Sequence, residues 1–145
     1  MPVSRPLVLK EPSAARPRVL VASGDERVRA QLADLLRAER LRVSTVDDGV
    51  ALFEHLEAPP GPAARPDVIV ADAELDGFSA LEILAMTEAR GRPPTIVVSS
   101  RIDVSLRLAA RRLGVAELVT TSQPSLLRKA VRTALRARRG APRAA

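Results

Sequence analysis

The sequence predicts an α/β fold in which five parallel strands form one sheet and helices cover both of its faces. Apolar segments of strand length alternate five times with segments of helical spacing, and this order favours right-handed crossovers between parallel strands. The run Val68-Ile69-Val70-Ala71 is apolar throughout and β-branched at three positions, as expected of a strand buried on both faces. Asp72 follows it directly. Ligands of open α/β sheets collect at the edge where the strands end, so Asp72 is the first candidate for a functional residue.

Each predicted strand is a short apolar run that stops at polar or glycine residues. The five runs cover residues 18–22, 42–46, 68–71, 95–99 and 117–120. Apolar residues at three- and four-residue intervals predict a helix after each strand. We expect Asp25 and Ser79 to be N-caps, because short polar side chains accept hydrogen bonds from the free N–H groups of a first turn. Prolines after residue 58 should end the second helix, Gly91 the third near residue 90, and Gly114 the fourth.

The composition excludes several classes of protein. A chain of 145 residues and 15.5 kDa is long enough for one ordinary domain. It has no cysteine, so it has neither disulfides nor a thiolate metal site. Phe53 and Phe78 are its only aromatic residues, which leaves no platform for stacking bases. The apolar group Leu7-Val8-Leu9 is too short for a signal peptide or a membrane span, so we expect a cytoplasmic protein without membrane insertion.

The positive charge is concentrated at the carboxyl end. Residues 125–145 carry seven Arg and Lys residues and no acid, whereas residues 18–124 carry a net charge of −3 within a total of +6. Residues 1–17 contain four prolines and no sustained periodicity. We therefore predict a flexible arm at 1–17, a folded domain at 18–138 and a basic tail at 139–145.

Several segments, in matching order and spacing, resemble those of one family. They are Pro66-Asp67-Val68-Ile69-Val70-Ala71-Asp72 with Gly77 and Leu81-Glu82-Ile83-Leu84, then Pro94-Thr95-Ile96-Val97-Val98-Ser99, Leu113-Gly114-Val115-Ala116 and, more loosely, Asp47-Asp48-Gly49. Together they resemble the response-regulator receiver domain of two-component signalling over residues 18–138. The resemblance implies a flavodoxin-like, doubly wound (βα)5 fold, with Asp72 as the phospho-acceptor and Ser99 as the switch residue.

The chain departs from this family where the family holds metal and phosphate. In receivers, an acid pair after the first strand and the acceptor aspartate bind Mg²⁺, and a lysine after the fifth strand pairs with the phosphoryl group. The positions of the acid pair are Ser23 and Gly24 here, and acids follow only at Asp25 and Glu26. No cation stands at 120–124, and the aromatic switch position is Leu118. Mg²⁺ binding through Asp25, Glu26 and Asp72 is therefore an open alternative.

Three hypotheses follow for function. The first is a stand-alone, atypical, pseudo-receiver-like module in phosphorelay signalling, which docks on a histidine kinase or a downstream protein through its fourth helix, fifth strand and last helix. The second is a functional phospho-receiver with Asp72 as acceptor and Mg²⁺ bound. The third, binding of nucleic acid or an acidic partner by the Arg-rich carboxyl end, ranks last because no base-reading motif accompanies it. A conventional enzyme is not expected.

Each candidate residue also has a purely structural interpretation. Asp72 can be a loop-entry carboxylate that accepts backbone N–H bonds, and Ser99 can be an ordinary hydroxyl at the end of a strand. His55 is the only histidine and has no second histidine or cysteine as a partner, so we assign it no chemistry.

Overall fold

The computed structural model describes residues 16–57, 65–75, 77–88 and 91–140. Almost all of the predicted arm at 1–17, and residues 141–145 of the predicted tail, lie outside the described residues, so both remain predictions. No helix within the described ranges is long and apolar enough to cross a membrane.

The described residues form the predicted order of strands and helices. The strands are β1 Arg18–Ala22, β2 Arg42–Val46, β3 Val68–Asp72, β4 Thr95–Ser99 and β5 Glu117–Thr120. The helices are α1 Glu26–Arg37, α2 Gly49–Glu57, α3 Ala80–Met86, α4 Val104–Arg112 and α5 Pro124–Gly140. All strand pairs are parallel and their spatial order is β2-β1-β3-β4-β5. This order confirms the flavodoxin-like, doubly wound sheet.

The core lies on both faces of this sheet, because successive residues of a strand point to opposite faces. On one face, Val70 and Val98 pack with Leu36 of α1 and Val131 of α5. On the other face, strand residues pack against α2, α3 and α4; the buried members of this layer include Leu20, Leu52, Ile69, Ile83, Leu84 and Val97. β3 is buried along its whole length, as the apolar run at 68–71 predicts. β4 is buried along its whole length as well.

The helix ends mostly follow the predicted caps. The Asp25 side chain accepts hydrogen bonds from the first turn of α1, and Ser79 forms a capping box with Glu82 at the start of α3. Asp103, which is not among the predicted caps, caps α4 in the same way. Gly114 has the positive φ of 76° expected of a residue that ends a helix.

The predicted end of the third helix near residue 90 is wrong, since α3 stops at Met86. Thr87 is extended, and its backbone N–H bonds to the Leu84 carbonyl. The Arg92 guanidinium donates to that same carbonyl at 3.2 Å through Nη1, and to the Leu113 carbonyl at the end of α4 through Nη2 at 2.6 Å. A side chain outside both helices, 8 residues from Leu84 and 21 from Leu113, therefore caps two helix ends, and the periodicity of the helices does not predict this.

Candidate functional site

Asp72 is the last residue of β3, and the residue is buried with 8% exposure. Its Oδ2 atom accepts a hydrogen bond from Ser23 Oγ at 3.1 Å. Its Oδ1 atom accepts one from the Glu74 backbone N–H at 3.0 Å. The strand order changes direction between β1 and β3, so the carboxylate lies at the switch point where ligands of this fold class bind.

Burial is the main influence on the charge of Asp72. Removal from water raises the pKa of this carboxyl, whereas the hydrogen bonds from Glu74 N–H and the Ser23 hydroxyl lower it in part. The nearby carboxylates of Glu74 and Asp25 raise the pKa further through repulsion. In the part of the chain that the structure describes, no Arg or Lys forms an ion pair with Asp72. The charged form of Asp72 is thus held by neutral donors.

Ser23 organises the end of β1 as well as contacting Asp72. Its hydroxyl accepts a hydrogen bond from the Asp25 backbone N–H at 3.2 Å, and its carbonyl accepts one from Arg29 Nη1 at 2.9 Å. From the sequence alone, Ser23 is recognisable only as a replacement for an acid, and its contact with Asp72 is not predicted. The register of the sheet explains the contact: Ala22 is opposite Ala71, so the next residues, Ser23 and Asp72, lie side by side where the two parallel strands end.

The other two predicted metal ligands lie at the start of α1. Asp25 Oδ1 accepts hydrogen bonds from Arg27 N–H at 2.9 Å and Val28 N–H at 3.1 Å, so it is engaged as a helix cap. Glu26 is exposed in the first helical turn. The described ranges contain no group of three or more His, Cys, Asp or Glu side chains arranged to hold a metal ion.

These groups do not fit Mg²⁺ in their present arrangement. Mg²⁺ requires near-octahedral oxygen ligation and is usually held by one or two free carboxylates with water and phosphate. Here the Ser23 hydroxyl donates a hydrogen bond to Asp72 Oδ2, and Asp25 Oδ1 accepts the N–H groups of the first turn of α1. Asp72 is the one carboxylate left at the strand ends among the predicted ligands.

Ser99 ends β4, one strand away from Asp72, but its hydroxyl does not contact that carboxylate. Ser99 Oγ donates to the Arg101 carbonyl at 2.9 Å and accepts from the Arg101 N–H at 3.1 Å. Thr121, in the segment after β5 that lacks the family's lysine, donates its backbone N–H to the Ser99 carbonyl at 3.1 Å. The structure brings Ser23 and Asp72 together, whereas the contacts of Ser99 and Thr121 are with backbone groups and not with Asp72.

The loop after Asp72 is held by the start of α2. A Cβ atom added at Gly49 would lie 2.5 Å from the Phe78 carbonyl oxygen, so only glycine fits this approach. Asp48 belongs to the segment Asp47-Asp48-Gly49, which resembles the family more loosely. Its Oδ1 accepts a hydrogen bond from the Ala51 N–H at 2.8 Å and so helps to start α2. His55 is exposed on α2, and its Nδ1 lies 3.0 Å from the Ala51 carbonyl.

Comparisons with known proteins agree with this architecture. The family model described as "Response regulator receiver domain" matches residues 19–132. "Sensory transduction protein RegX3" of Mycobacterium tuberculosis is 28% identical over 102 residues, which cover 70% of this chain and 43% of the relative. RegX3 of Mycolicibacterium smegmatis is also 28% identical, with 70% and 42% covered. The chain therefore spans less than half the length of the curated relatives it matches.

Solved structures show the same fold. The signal receiver domain of a LuxO repressor protein from Vibrio parahaemolyticus superposes with a TM-score of 0.75 at 17% identity, covering 86% of this chain and 93% of that one. A CheY-like receiver domain from Methanospirillum hungatei gives 0.74 at 14% identity, with 86% and 98% covered. With the parallel sheet, the buried Asp72 and a family match over most of its length, this chain belongs to the response-regulator receiver domain family.

Proposed function

We propose that this receiver domain is an atypical, pseudo-receiver-like module that transmits information in two-component signalling by docking on protein partners, without Mg²⁺-dependent phosphoryl transfer at Asp72. One observation carries the proposal: the Ser23 hydroxyl, at a position where the family has a metal-binding acid, is hydrogen-bonded to the Asp72 carboxylate. A histidine kinase or a downstream signalling protein is the kind of partner that members of this family bind. The cytoplasmic location remains a prediction from sequence.

The charges around Asp72 support this proposal. Phosphoryl transfer depends on positioning and on neutralising the charge of the transferred group. A phosphoryl group brings a further charge of about −1.5 to −2 at neutral pH. The charged groups that influence the pKa of Asp72 are both carboxylates, Glu74 and Asp25. The Ser23 hydroxyl carries no net charge, so its hydrogen bond to Asp72 cannot neutralise a phosphoryl group as a bound cation does.

A titration with Mg²⁺ followed by beryllofluoride, monitored by ¹⁵N NMR, tests the proposal. We expect no saturable, metal-dependent shift of the backbone amides around Ser23, Asp72 and Ser99. Ser23→Asp should create Mg²⁺-dependent shifts centred on Asp72, because it returns an acid to the neighbouring strand end. Ser99→Asp is the matched control, since it adds the same charge one strand away on the other side. Tight, metal-dependent binding to the parent protein would refute the proposal.

A functional phospho-receiver is the second candidate, and the proximity of Asp25 favours it. The Asp25 carboxylate is close enough to raise the pKa of Asp72. If it leaves its capping contacts, it can reach toward a shared cation. This function requires that acetyl phosphate with Mg²⁺ label the parent protein, that Asp72→Asn abolish the labelling, and that Asp25→Asn reduce it. An unlabelled parent protein under conditions that label a conventional receiver would remove this candidate.

A further inference from the structure

Arginine residues from separate segments meet where the strands of the sheet begin, at the edge opposite Asp72. Arg18 and Arg42 are the first residues of β1 and β2 and are partners in the register, so their backbones lie about 4.8 Å apart. Arg16 precedes β1, and its Nε donates to the Arg40 carbonyl at 3.3 Å. These four arginines therefore start from neighbouring positions of the backbone.

The last turns of α5 bring two more arginines to this edge. Arg132 lies 2.6 Å from Glu39, which belongs to the turn between α1 and β2. Arg138 Nε lies 3.6 Å from Asp67 Oδ1, and Asp67 Oδ2 accepts the Arg18 backbone N–H at 2.8 Å. These contacts join α5 to the starts of β1 and β3. We call this set of six the amino-edge face: Arg16, Arg18, Arg40, Arg42, Arg132 and Arg138.

The amino-edge face carries more positive charge than the acids in contact with it can offset. Glu39 and Asp67 pair with two of its six arginines. Arg16, Arg40 and Arg42 are exposed and take part in none of the ion pairs of the described residues. One helical turn after Arg132, Arg136 adds another exposed cation on the same side of α5. A surplus of exposed cations at one edge favours an anionic partner.

A charge count along the sequence hides this face. Residues 18–124 carry a net charge of −3, but several of their acids follow the strands at the opposite edge, among them Asp25, Asp47, Asp48 and Asp72. Because all five strands are parallel, the fold separates these acids from the cations at the strand starts. It also places part of the Arg-rich carboxyl end beside cations of β1 and β2, which the sequence alone does not show.

The composition of the face indicates which anion it fits. None of the exposed large apolar side chains among the described residues belongs to 16–18, 39–42 or 132–138. Stable protein interfaces have apolar or aromatic anchors near their centre, whereas contacts with a nucleic-acid backbone require mainly cations. A guanidinium group suits phosphate because it can donate two parallel hydrogen bonds. Neither Phe53 nor Phe78 lies in these segments, so unpaired bases would find no aromatic ring on which to stack.

We propose that the amino-edge face binds the phosphate backbone of double-helical nucleic acid without reading its sequence. This inference goes beyond the proposed function, because it concerns the sheet edge opposite Asp72 and requires neither Mg²⁺ nor phosphorylation. It also differs from binding by the Arg-rich carboxyl end alone, since arginines of β1, β2 and the turn before β2 take part.

Fluorescence anisotropy with a labelled DNA duplex of about 20 base pairs tests this inference. We expect a dissociation constant of about 10⁻⁴–10⁻⁶ M at physiological salt and tighter binding at low salt, because arginine–phosphate contacts release counterions. Arg40→Gln with Arg42→Gln should weaken binding about tenfold or more and reduce the slope of log affinity against log salt by about 2. The charge-matched control is Arg27→Gln with Arg107→Gln, in the first turns of α1 and α4 at the opposite edge, and it should leave the slope unchanged.

Both double variants replace exposed side chains, so their urea midpoints should equal that of the parent chain. If the Arg40 and Arg42 variant does not fold, Arg16→Gln with Arg136→Gln removes two other exposed cations of this edge and should cause the same loss of binding.

Several results would overturn the inference. They are no binding of the duplex at low salt, an equal loss in the control variant, or a strong preference for one duplex sequence over an unrelated one. Tighter binding of labelled polyglutamate than of the duplex at the same salt would assign the face to an acidic protein instead. All samples omit Mg²⁺ and phosphodonors, so the result is independent of any chemistry at Asp72.

Discussion

Replacing Ser23 with alanine would measure the contact on which the proposed function depends. The Ser23 hydroxyl lies 3.1 Å from Asp72 Oδ2, and the two residues are 0% and 8% exposed. A hydrogen bond to a charged group contributes about 1.5–3 kcal/mol, and the substitution also removes the acceptor of the Asp25 N–H. We therefore expect Ser23→Ala to lower the free energy of unfolding by about 2 kcal/mol at neutral pH.

Urea unfolding followed by far-UV circular dichroism provides the measurement, because the chain has no Trp or Tyr for fluorescence. With a slope of about 2 kcal/mol per molar urea, the midpoint should fall by about 1 M. Ser99→Ala is the matched control. Ser99 is also buried, but its hydroxyl contacts only the backbone of Arg101, so we expect a loss of about 1 kcal/mol.

A double-mutant cycle isolates the contact between the two side chains. In the Asp72→Asn background the Ser23 hydroxyl meets a neutral acceptor, so Ser23→Ala should cost only about 1 kcal/mol there. The Ser99→Ala loss should be the same in both backgrounds. An equal Ser23→Ala loss with and without the Asp72 charge would show that the hydroxyl does not stabilise the carboxylate, and the reasoning would fail.

Three further substitutions test other parts of the site. Asp72→Asn should raise stability at neutral pH, since burial raises the pKa of this acid and its ionisation therefore lowers stability as pH rises from the unfolded-state pKa through the folded-state pKa. The gain should vanish below pH 3.8 in urea melts at several pH values, and a less stable variant at neutral pH would contradict it. Gly49→Ala should lower the free energy of unfolding by about 1 kcal/mol, because the clash of the new Cβ with the Phe78 carbonyl outweighs the better helix propensity of alanine. An unchanged urea midpoint would contradict this prediction. Arg92→Ala should lower the free energy of unfolding by about 2 kcal/mol. Arg92→Lys should lower it by a smaller amount, since an ammonium cannot bridge both helix ends as a guanidinium does. Equal losses for the two variants in the urea assay would argue against bridging.

Local patterns predicted most of the fold. β1, β2, β4 and β5 begin and end at the predicted residues, and β3 extends one residue further, to Asp72. The parallel arrangement followed from the alternation of strands and helices, which leaves few allowed topologies. α3 was the exception, because Arg92 binds the carbonyl at its end from outside the helix.

The candidate site was only partly predictable. By itself the sequence determined that Asp72 ends a buried strand, that acids are missing at residues 23–24 and that residues 120–124 contain no cation, because these properties depend on residue type and local order. Only the tertiary structure decided that Ser23 donates to Asp72, that Asp25 caps α1 and that Ser99 turns toward its own backbone. The direction of a short polar side chain depends on which donors and acceptors packing brings within about 3 Å, and residues distant in the chain supply many of them.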